Sequence, residues 1–318
     1  MRRLSVSPLP RWLFLAAMLV CPTALLGTAQ ADTLRVGYQR YGTLIILKER
    51  GLLEQTLKPL GWTVEWKLFP AGPQLLEAMN AGAIDFGIAG ETPPVFAQAA
   101  GTPLVYVGCE PAAPTGEAIL VPAASPITSV AGLKGRRVAL NRGSNVHYLL
   151  VRALQQAGLS WSDITPVYLS PADAPAAFQA GAVDAWAIWD PYESTALTTL
   201  GARVLRDGSG LVPNHQFFLA TRALATSSPQ VLEATLAEVA ATDAWSSTHK
   251  QEAATLLSRT SGLPLPVVQH AVDRLSFGVL PMTPEVVGQQ QQVADTLAQI
   301  GLIPSPVQVR DAVLPASK

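Results

Sequence analysis

Apolar residues along this chain alternate between the period of a helix and that of a strand, and the series runs through twice. Leu34–Tyr38 reads as a strand, and Thr43 to about Leu57 as a helix with one apolar face. Trp62–Phe69 alternates with period two, the pattern of a half-buried strand. A helix over Gln74–Asn80 and a buried strand over Ile84–Ala89 follow, and Pro93 suits the first turn of a helix running toward Ala100. Leu104–Val107 and Glu117–Val121 are further strands. The order then restarts with strand Arg137–Leu140, a helix over Val146–Gln156 closed by Gly158, strand Val167–Leu169, helix Pro175–Gln179, strand Val183–Ile188 and a helix from Pro191. His215–Ala220 reads as a strand returning to the first half. From about Ser228 the pattern is helical, over Gln230–His249, Gln251–Ser258, Pro264–Leu275 and Pro284–Ile300. These last helices are expected to pack on the first half and to carry little chemistry.

The restart is written into the residues. Ala81-Gly82-Ala83-Ile84-Asp85 recurs 99 positions later as Ala180-Gly181-Ala182-Val183-Asp184, and Val36–Arg40 aligns with Val138–Arg142 at an offset of 102. Each copy follows a proline-opened amphipathic stretch, continues as a buried strand and ends in a polar residue before proline. Two copies of a strand-to-helix unit predict an α/β fold of two lobes, each a mostly parallel sheet flanked by helices, with C-terminal helices added. One lobe comprises residues 32–117 and 220–318 and the other residues 118–219, with crossings near Glu117–Ile119 and Phe217–Ala220. Two such lobes imply a cleft at the strand ends, where ligands bind. Asp85 and Asp184 lie within buried-strand patterns and are expected to bond nearby backbone N–H groups.

The first 31 residues change the compartment. Arg2, Arg3 and Arg11 precede an apolar run over Trp12–Val20, and small residues ending Ala29-Gln30-Ala31 make a cleavable secretory signal peptide. The apolar run is too short for a membrane span, and Val20 is too large for a lipid-attachment signal at Cys21. Cleavage after Ala31 removes three arginines and no acids, leaving 19 basic and 23 acidic residues, a net charge near −4. That balance gives no basic footprint for nucleic acid. It also leaves Cys109 alone, without a disulfide partner.

Candidate chemistry gathers where strands end and helices begin, at Gln39–Thr43, Glu91-Thr92-Pro93, Gly143-Ser144-Asn145 and Trp189-Asp190-Pro191. Helix starts offer free N–H groups and partial positive charge. Hydroxyl and amide side chains add donors there without full charges, a set suited to a small oxyanion. Thr92, Ser144, Asn145 and Asp190 are equally ordinary helix caps, so each taken singly has a structural reading beside the functional one.

At these residues the chain resembles a known family. Gly37-Tyr38-Gln39-Arg40-Tyr41-Gly42-Thr43, Phe69–Glu77, Gly90-Glu91-Thr92-Pro93-Pro94, Asn141–Tyr148 and Ile188-Trp189-Asp190-Pro191-Tyr192 are similar to the periplasmic aliphatic-sulfonate-binding proteins of ABC importers. They are similar, less closely, to the taurine- and nitrate-binding relatives. The resemblance implies a type II periplasmic binding fold that closes on its ligand. It also implies a monomer that delivers an alkanesulfonate to a membrane permease driven by a separate ATPase. No cofactor is implied, and the chain has no phosphate-binding Gly-x-x-x-x-Gly-Lys-(Ser/Thr) loop of its own. Carried over by position, ligand contacts fall on Gln39, Thr43, Glu91, Thr92, Gly143, Ser144, Asn145, Trp189 and Asp190. Trp189 is expected to cover the alkyl tail, with Phe69 or Tyr38 extending the apolar wall.

Other residues carry two readings. Arg40 and Arg142 are either a positive field in the cleft or solvated surface. Asp190 reads best as a helix cap, and Glu91 either pairs with Arg142 or meets an amine on the ligand. His147 reads as a satisfied, buried histidine in preference to a ligand contact. The four histidines lack metal-ligand spacing. The competing class is a desulfinase-like enzyme of this fold with Cys109 as nucleophile, against which stands a cysteine that follows an apolar run.

Overall fold

Asp85 and Asp184 build the same clamp twice. In a computed structural model, which describes residues 31–314, Asp85 Oδ2 accepts the backbone N–H of Arg35 at 2.9 Å and its Nε at 2.8 Å, while Oδ1 takes Nη2 at 2.6 Å. Asp184 does the same to Arg137, at 2.8 Å to the backbone, 3.1 Å to Nε and 3.3 Å to Nη2. Each arginine also donates to a glycine carbonyl of the repeat, Gly82 or Gly181. The two offsets seen in the sequence are therefore one contact preserved in both copies. The repeat aspartate, one residue before the strand that begins at Phe86 or Ala185, holds that strand's start to its parallel neighbour, in the middle of strand Asp32–Tyr38 and at the first residue of strand Arg137–Leu140.

The first half runs β1 (Asp32–Tyr38), α1 (Thr43–Arg50), α2 (Leu52–Leu57), β2 (Trp62–Leu68), α3 (Gly72–Asn80), β3 (Phe86–Gly90), α4 (Thr92–Ala99) and β4 (Leu104–Cys109). The second runs β5 (Glu117–Pro122), β6 (Arg137–Leu140), α5 (Asn145–Gln156), β7 (Thr165–Tyr168), α6 (Ala174–Gln179), β8 (Ala185–Trp189), α7 (Tyr192–Thr199) and β9 (Ala202–Asp207). Then come β10 (Gln216–Thr221), α8 (Arg222–Ser227), α9 (Pro229–Thr248), α10 (Lys250–Ser261), α11 (Leu265–Arg274) and α12 (Pro284–Gln299). The sheets have orders β2-β1-β3-β10-β4 and β7-β6-β8-β5-β9. These are one topology: in each sheet the fourth strand alone is antiparallel to both neighbours. Both of those strands carry a register shift, at Phe218/Leu219 and at Ile119/Leu120.

Several expectations shift. The helix expected over Thr43–Leu57 is two helices, because Gly51 takes a left-handed φ of 63° and caps the first through the Lys48 carbonyl. The crossings are not at Glu117–Ile119 and Phe217–Ala220, which are paired strand residues. The chain changes sheets over residues 110–116 and 208–215, where Pro111, Pro114 and Pro213 interrupt pairing. The two crossings lie side by side: Ala113 N–H donates to the Pro213 carbonyl and Gly208 N–H to the Pro114 carbonyl, both at 3.0 Å. Strand β9 escaped the sequence reading because Arg203 and Arg206 interrupt its apolar pattern, as suits an outer strand. Nor do the C-terminal helices serve the first half alone. Helix α9 packs on α1 and α2, but α11 reaches α7 of the second half. The proposed signal peptide and Cys21 lie outside the described residues.

Both faces of the first sheet are covered. Phe86, Phe218, Leu34 and Val36 pack with Leu44, Leu47 and α9, while Leu75, Leu76 and Phe217 face the opposite core. Trp186 and Phe178 anchor the second half. Such two-sided burial explains why the parallel strands read as nearly continuous apolar runs. It also leaves the loops at the strand ends as the place for polar chemistry.

Candidate ligand-binding site

A cavity of about 440 Å³ lies where the loops after β1, β2, β7 and β8 converge with both crossings and with α11. This is the C-terminal end of the parallel strands in both halves, the position at which open α/β sheets bind ligands. Gln39, Arg40, Tyr41 and Gly42 come from the β1 loop and Phe69 from the β2 loop. Trp189, Asp190 and Tyr192 come from the β8 loop, and Asn214 and Gln216 from the second crossing. Phe69, Trp189 and Tyr192 supply the apolar wall, with Trp189 and Tyr192 edge to face at 6.3 Å. Tyr38 does not join them. Its ring stacks edge-on against Trp66 beneath Lys48.

Behind the cavity the starts of α4 and α5 meet. Asn145 Nδ2 donates to Asn214 Oδ1 at 2.7 Å, and Asn214 Nδ2 donates to the Ala113 carbonyl at 2.8 Å. One chain of amides thus ties the second half to both crossings. Asn145 fits because residue 90 is glycine: a Cβ there would stand 1.9 Å from Asn145 Oδ1. Gly143, at φ 75°, donates its N–H to His147 Nδ1 at 3.2 Å, and Ser144 Oγ donates to the Asn141 carbonyl at 2.7 Å. The Thr92 hydroxyl is fully buried at the start of α4 and has no protein partner. His147 is enclosed by Phe96, Trp161 and Tyr168; burial first, then the charge of Arg142, pushes its pKa down to about 4. Only Nδ1 is bonded; Nε2 is buried without a hydrogen-bond partner, so the histidine is packed in but not, as expected, fully satisfied.

Buried acids surround this seam. Neither Glu91 carboxyl oxygen has a hydrogen-bond partner, and burial raises its pKa to about 8 against the weak pull of the His215 and Asn214 N–H groups. Among the described residues Glu91 pairs with no arginine, contrary to one expectation; Arg142 lies over the Tyr168 ring instead, 5.6 Å from its centre. Glu117, at the start of β5, is raised by burial and then by the charges of Glu91 and Glu193, with the Asn145 amide opposing. Carboxyls in such surroundings hold protons at neutral pH, since two desolvated like charges do not persist without a cation. A second acid pair commits Thr43. Its hydroxyl sits between Glu110, at 3.0 Å, and Asp243. One hydroxyl carries one hydrogen, so a carboxyl must donate the other bond. Burial accordingly raises both acids, Asp243 to about 6. Thr43 is not itself a lining residue, but its hydroxyl is held by Glu110, which does line the cavity.

Asp190 stands one residue before the N-cap position, which is Pro191, yet its carboxylate still serves the helix start, accepting Ser194 N–H at 3.0 Å and Ser194 Oγ at 2.7 Å. It also binds Arg274 of α11, through Nε at 2.7 Å and Nη2 at 2.8 Å. The pair is neutral overall and forms part of the cavity wall. Of the nine residues singled out from the sequence, Gln39, Trp189 and Asp190 line the cavity. Asn145 lies one hydrogen bond behind it, through Asn214. Ser144, Gly143, Thr92 and Glu91 form the closed seam, and Thr43 is engaged elsewhere. Sequence reasoning missed Arg274, Tyr41, Asn214 and Gln216. Tyr41 falls within the conspicuous Gly37–Thr43 string, but Arg274 gives no local signal, because its partner lies 84 residues away.

The NMT1-like family matches residues 27–259. An Escherichia coli (strain K12) protein named for binding aliphatic sulfonates is 45% identical over 95% of each chain. The chain belongs to the family of aliphatic-sulfonate-binding proteins. Among solved structures, the alkanesulfonate-binding protein SsuA of Xanthomonas axonopodis pv. citri, bound to MOPS, matches with a TM-score of 0.86 at 43% identity, covering 91% of this chain and all of that one. The periplasmic aliphatic sulphonate binding protein SsuA of Escherichia coli matches with a TM-score of 0.83 at 46% identity, covering 90% and 93%. The fold of this family member is the periplasmic binding protein fold that the resemblance implied, built on the two α/β units that the repeat predicted. The desulfurization enzyme DszB shares that fold alone, at 19% identity and a TM-score of 0.63. Cys109, which an enzyme of that kind would need, is buried, and burial pushes its thiol up to about 11. The relatives of high identity are named for binding sulfonates, and the likeness to the enzyme is one of fold alone.

Proposed function

We propose that this protein captures aliphatic sulfonates in the cavity between its halves and delivers them, as a monomer, to the permease of an ABC importer with a separate ATPase. The observation that carries this reading is the 45% identity to a sulfonate-binding relative across 95% of both chains, which takes in both halves that wall the cavity. In this reading the sulfonate sits toward the starts of α4 and α5. The free Thr92 hydroxyl, helix N–H groups and the Asn145 and Gln39 amides are its donors, and Ser144 and Gly143 shape the turn. The tail lies along Trp189, Phe69 and Tyr192. A neutral wall suits this ligand, because dipoles hold an anion without trapping it as a full counter-charge would. The protein works in the periplasm, exported by a signal peptide cut after Ala31.

A melting screen tests the reading. Saturating n-alkanesulfonates are expected to raise the melting temperature, by about 4 kcal/mol of stabilisation at a thousandfold excess over Kd. Nitrate and sulfate are expected to do little. A shift with nitrate and none with any sulfonate would move the protein to the nitrate-type relatives.

A further inference from the structure

Two arginines occupy the same place in the two halves, and neither is spent on an acid. In the first half the Phe69 N–H, just past β2, donates to the Tyr38 carbonyl at 2.8 Å; in the second the Leu169 N–H, just past β7, donates to the Leu140 carbonyl at 3.0 Å. Two residues on from those carbonyls stand Arg40 and Arg142. Both lie just beyond the C-terminal ends of parallel strands, the end that holds the cavity. Arg40 is part of the cavity wall. Arg142 follows β6, which lies between β7 and β8, and the loops after both of those strands line the cavity. The next residue, Gly143, faces Phe96 of α4, whose ring would stand 3.7 Å from a Cβ there, so Arg142 sits where the two halves meet.

Both arginines are exposed, and among the described residues neither makes an ion pair. The other charged residues of the wall are answered: Asp190 binds Arg274 at 2.7 Å, and Glu110 takes the Thr43 hydroxyl. The rest of the protein repels an anion at long range, since the chain from Asp32 onward holds 19 basic and 23 acidic residues. An exposed cation adds little to a bound complex, because water screens it. Set at the mouth of a cleft, however, it raises the local concentration of an anion and the rate of productive encounter. We infer that Arg40 and Arg142, one from each half, steer the anionic ligand into the cleft and set its association rate, while the uncharged donors inside set its release. The inference rests on the sulfonate reading above and adds how the ligand is captured.

The test is stopped-flow mixing of the mature protein with the n-alkanesulfonate that gives the largest melting shift, read by tryptophan fluorescence, since Trp189 lines the cavity. At about 10 mM salt, Arg40→Gln/Arg142→Gln is expected to slow association about fivefold and to leave dissociation within about twofold of wild type. The gap is expected to close at about 0.5 M salt, where screening leaves only short-range contacts. Arg40→Lys/Arg142→Lys keeps both charges and is expected to keep the wild-type rate. Lys58→Gln/Arg136→Gln removes two exposed charges from the opposite ends of the strands, just before β2 and β6, and is expected to leave association within about twofold of wild type. Circular dichroism confirms that each variant is folded. An unchanged association rate in the first variant, a loss carried by dissociation instead, a loss in the lysine variant or an equal loss in the remote one would overturn the inference while the sulfonate reading stands. If no sulfonate binds the wild type, the sulfonate reading fails and takes the inference with it.

Discussion

Replacing Gly90 by alanine is expected to cost about 1–3 kcal/mol of stability and to weaken ligand binding about tenfold or more. The added Cβ would lie 1.9 Å from Asn145 Oδ1 and 2.3 Å from its Cγ, so the amide must leave. Leaving breaks its 2.7 Å bond to Asn214 and with it the amide chain to the crossings. The penalty falls on the arrangement in which β3 and α5 meet, which is the arrangement that brings the proposed donors together. Adding Asn145→Ala makes room for the methyl group, so the double variant is expected to recover stability without recovering affinity. That non-additivity is the signature of a direct contact. Chemical unfolding and calorimetry on the four proteins of the cycle read both quantities, and a single variant with unchanged stability and affinity would refute the seam.

Stability is expected to fall as pH rises from about 6.5 to 8.5, opposite to the trend set by carboxylates in ion pairs. The pKa of Glu91 is about 8 in the folded protein, raised by burial, and that of Glu193 is about 8 from burial and the charge of Asp190. Unfolded, both return to about 4.3. Between those values the folded chain holds protons that the unfolded chain has lost, so each group's contribution is present at low pH and lost as pH climbs through 8. The upper bound is about 1.4 kcal/mol per pH unit per group. His147 acts with the opposite sign, but only between about 4 and its unfolded value of about 6.5, so the window above is clear of it. Glu91→Gln keeps the shape and removes one titration, so its slope is expected to be shallower and its stability higher than wild type at the alkaline end. Urea titrations across the window measure this, and a flat profile, or equal slopes for both proteins, would contradict the protonated seam.

Much of this fold was legible because the chain states it twice. The offsets of 99 and 102 residues proved to be one arginine–aspartate clamp in two copies, and the buried aspartates bond backbone N–H groups as expected. Most of the strand and helix order followed from period and turn residues, with β9 and α8 the exceptions. Crossing points did not, because a strand's apolar pattern looks the same whether its residues pair within a sheet or lead into a hinge. The prolines and glycines just outside the strands carried that information. At the site, sequence pointed to helix starts and to Trp189, local features with local signatures. It passed over Arg274, whose partner comes from a distant element, and gave no sign that the Thr43 hydroxyl is bonded to Glu110 and Asp243. Contacts between elements remote in sequence leave no periodic trace, and the buried acids at the seam are visible only once the halves are together.

The most direct measurement is a calorimetric titration of an n-alkanesulfonate into the mature protein and into its Ser144→Ala/Asn145→Ala variant. The account predicts one-to-one binding to the wild type and an affinity about tenfold or more lower in a variant that remains folded. Absence of binding to the wild type, or equal affinity in both proteins, would contradict it.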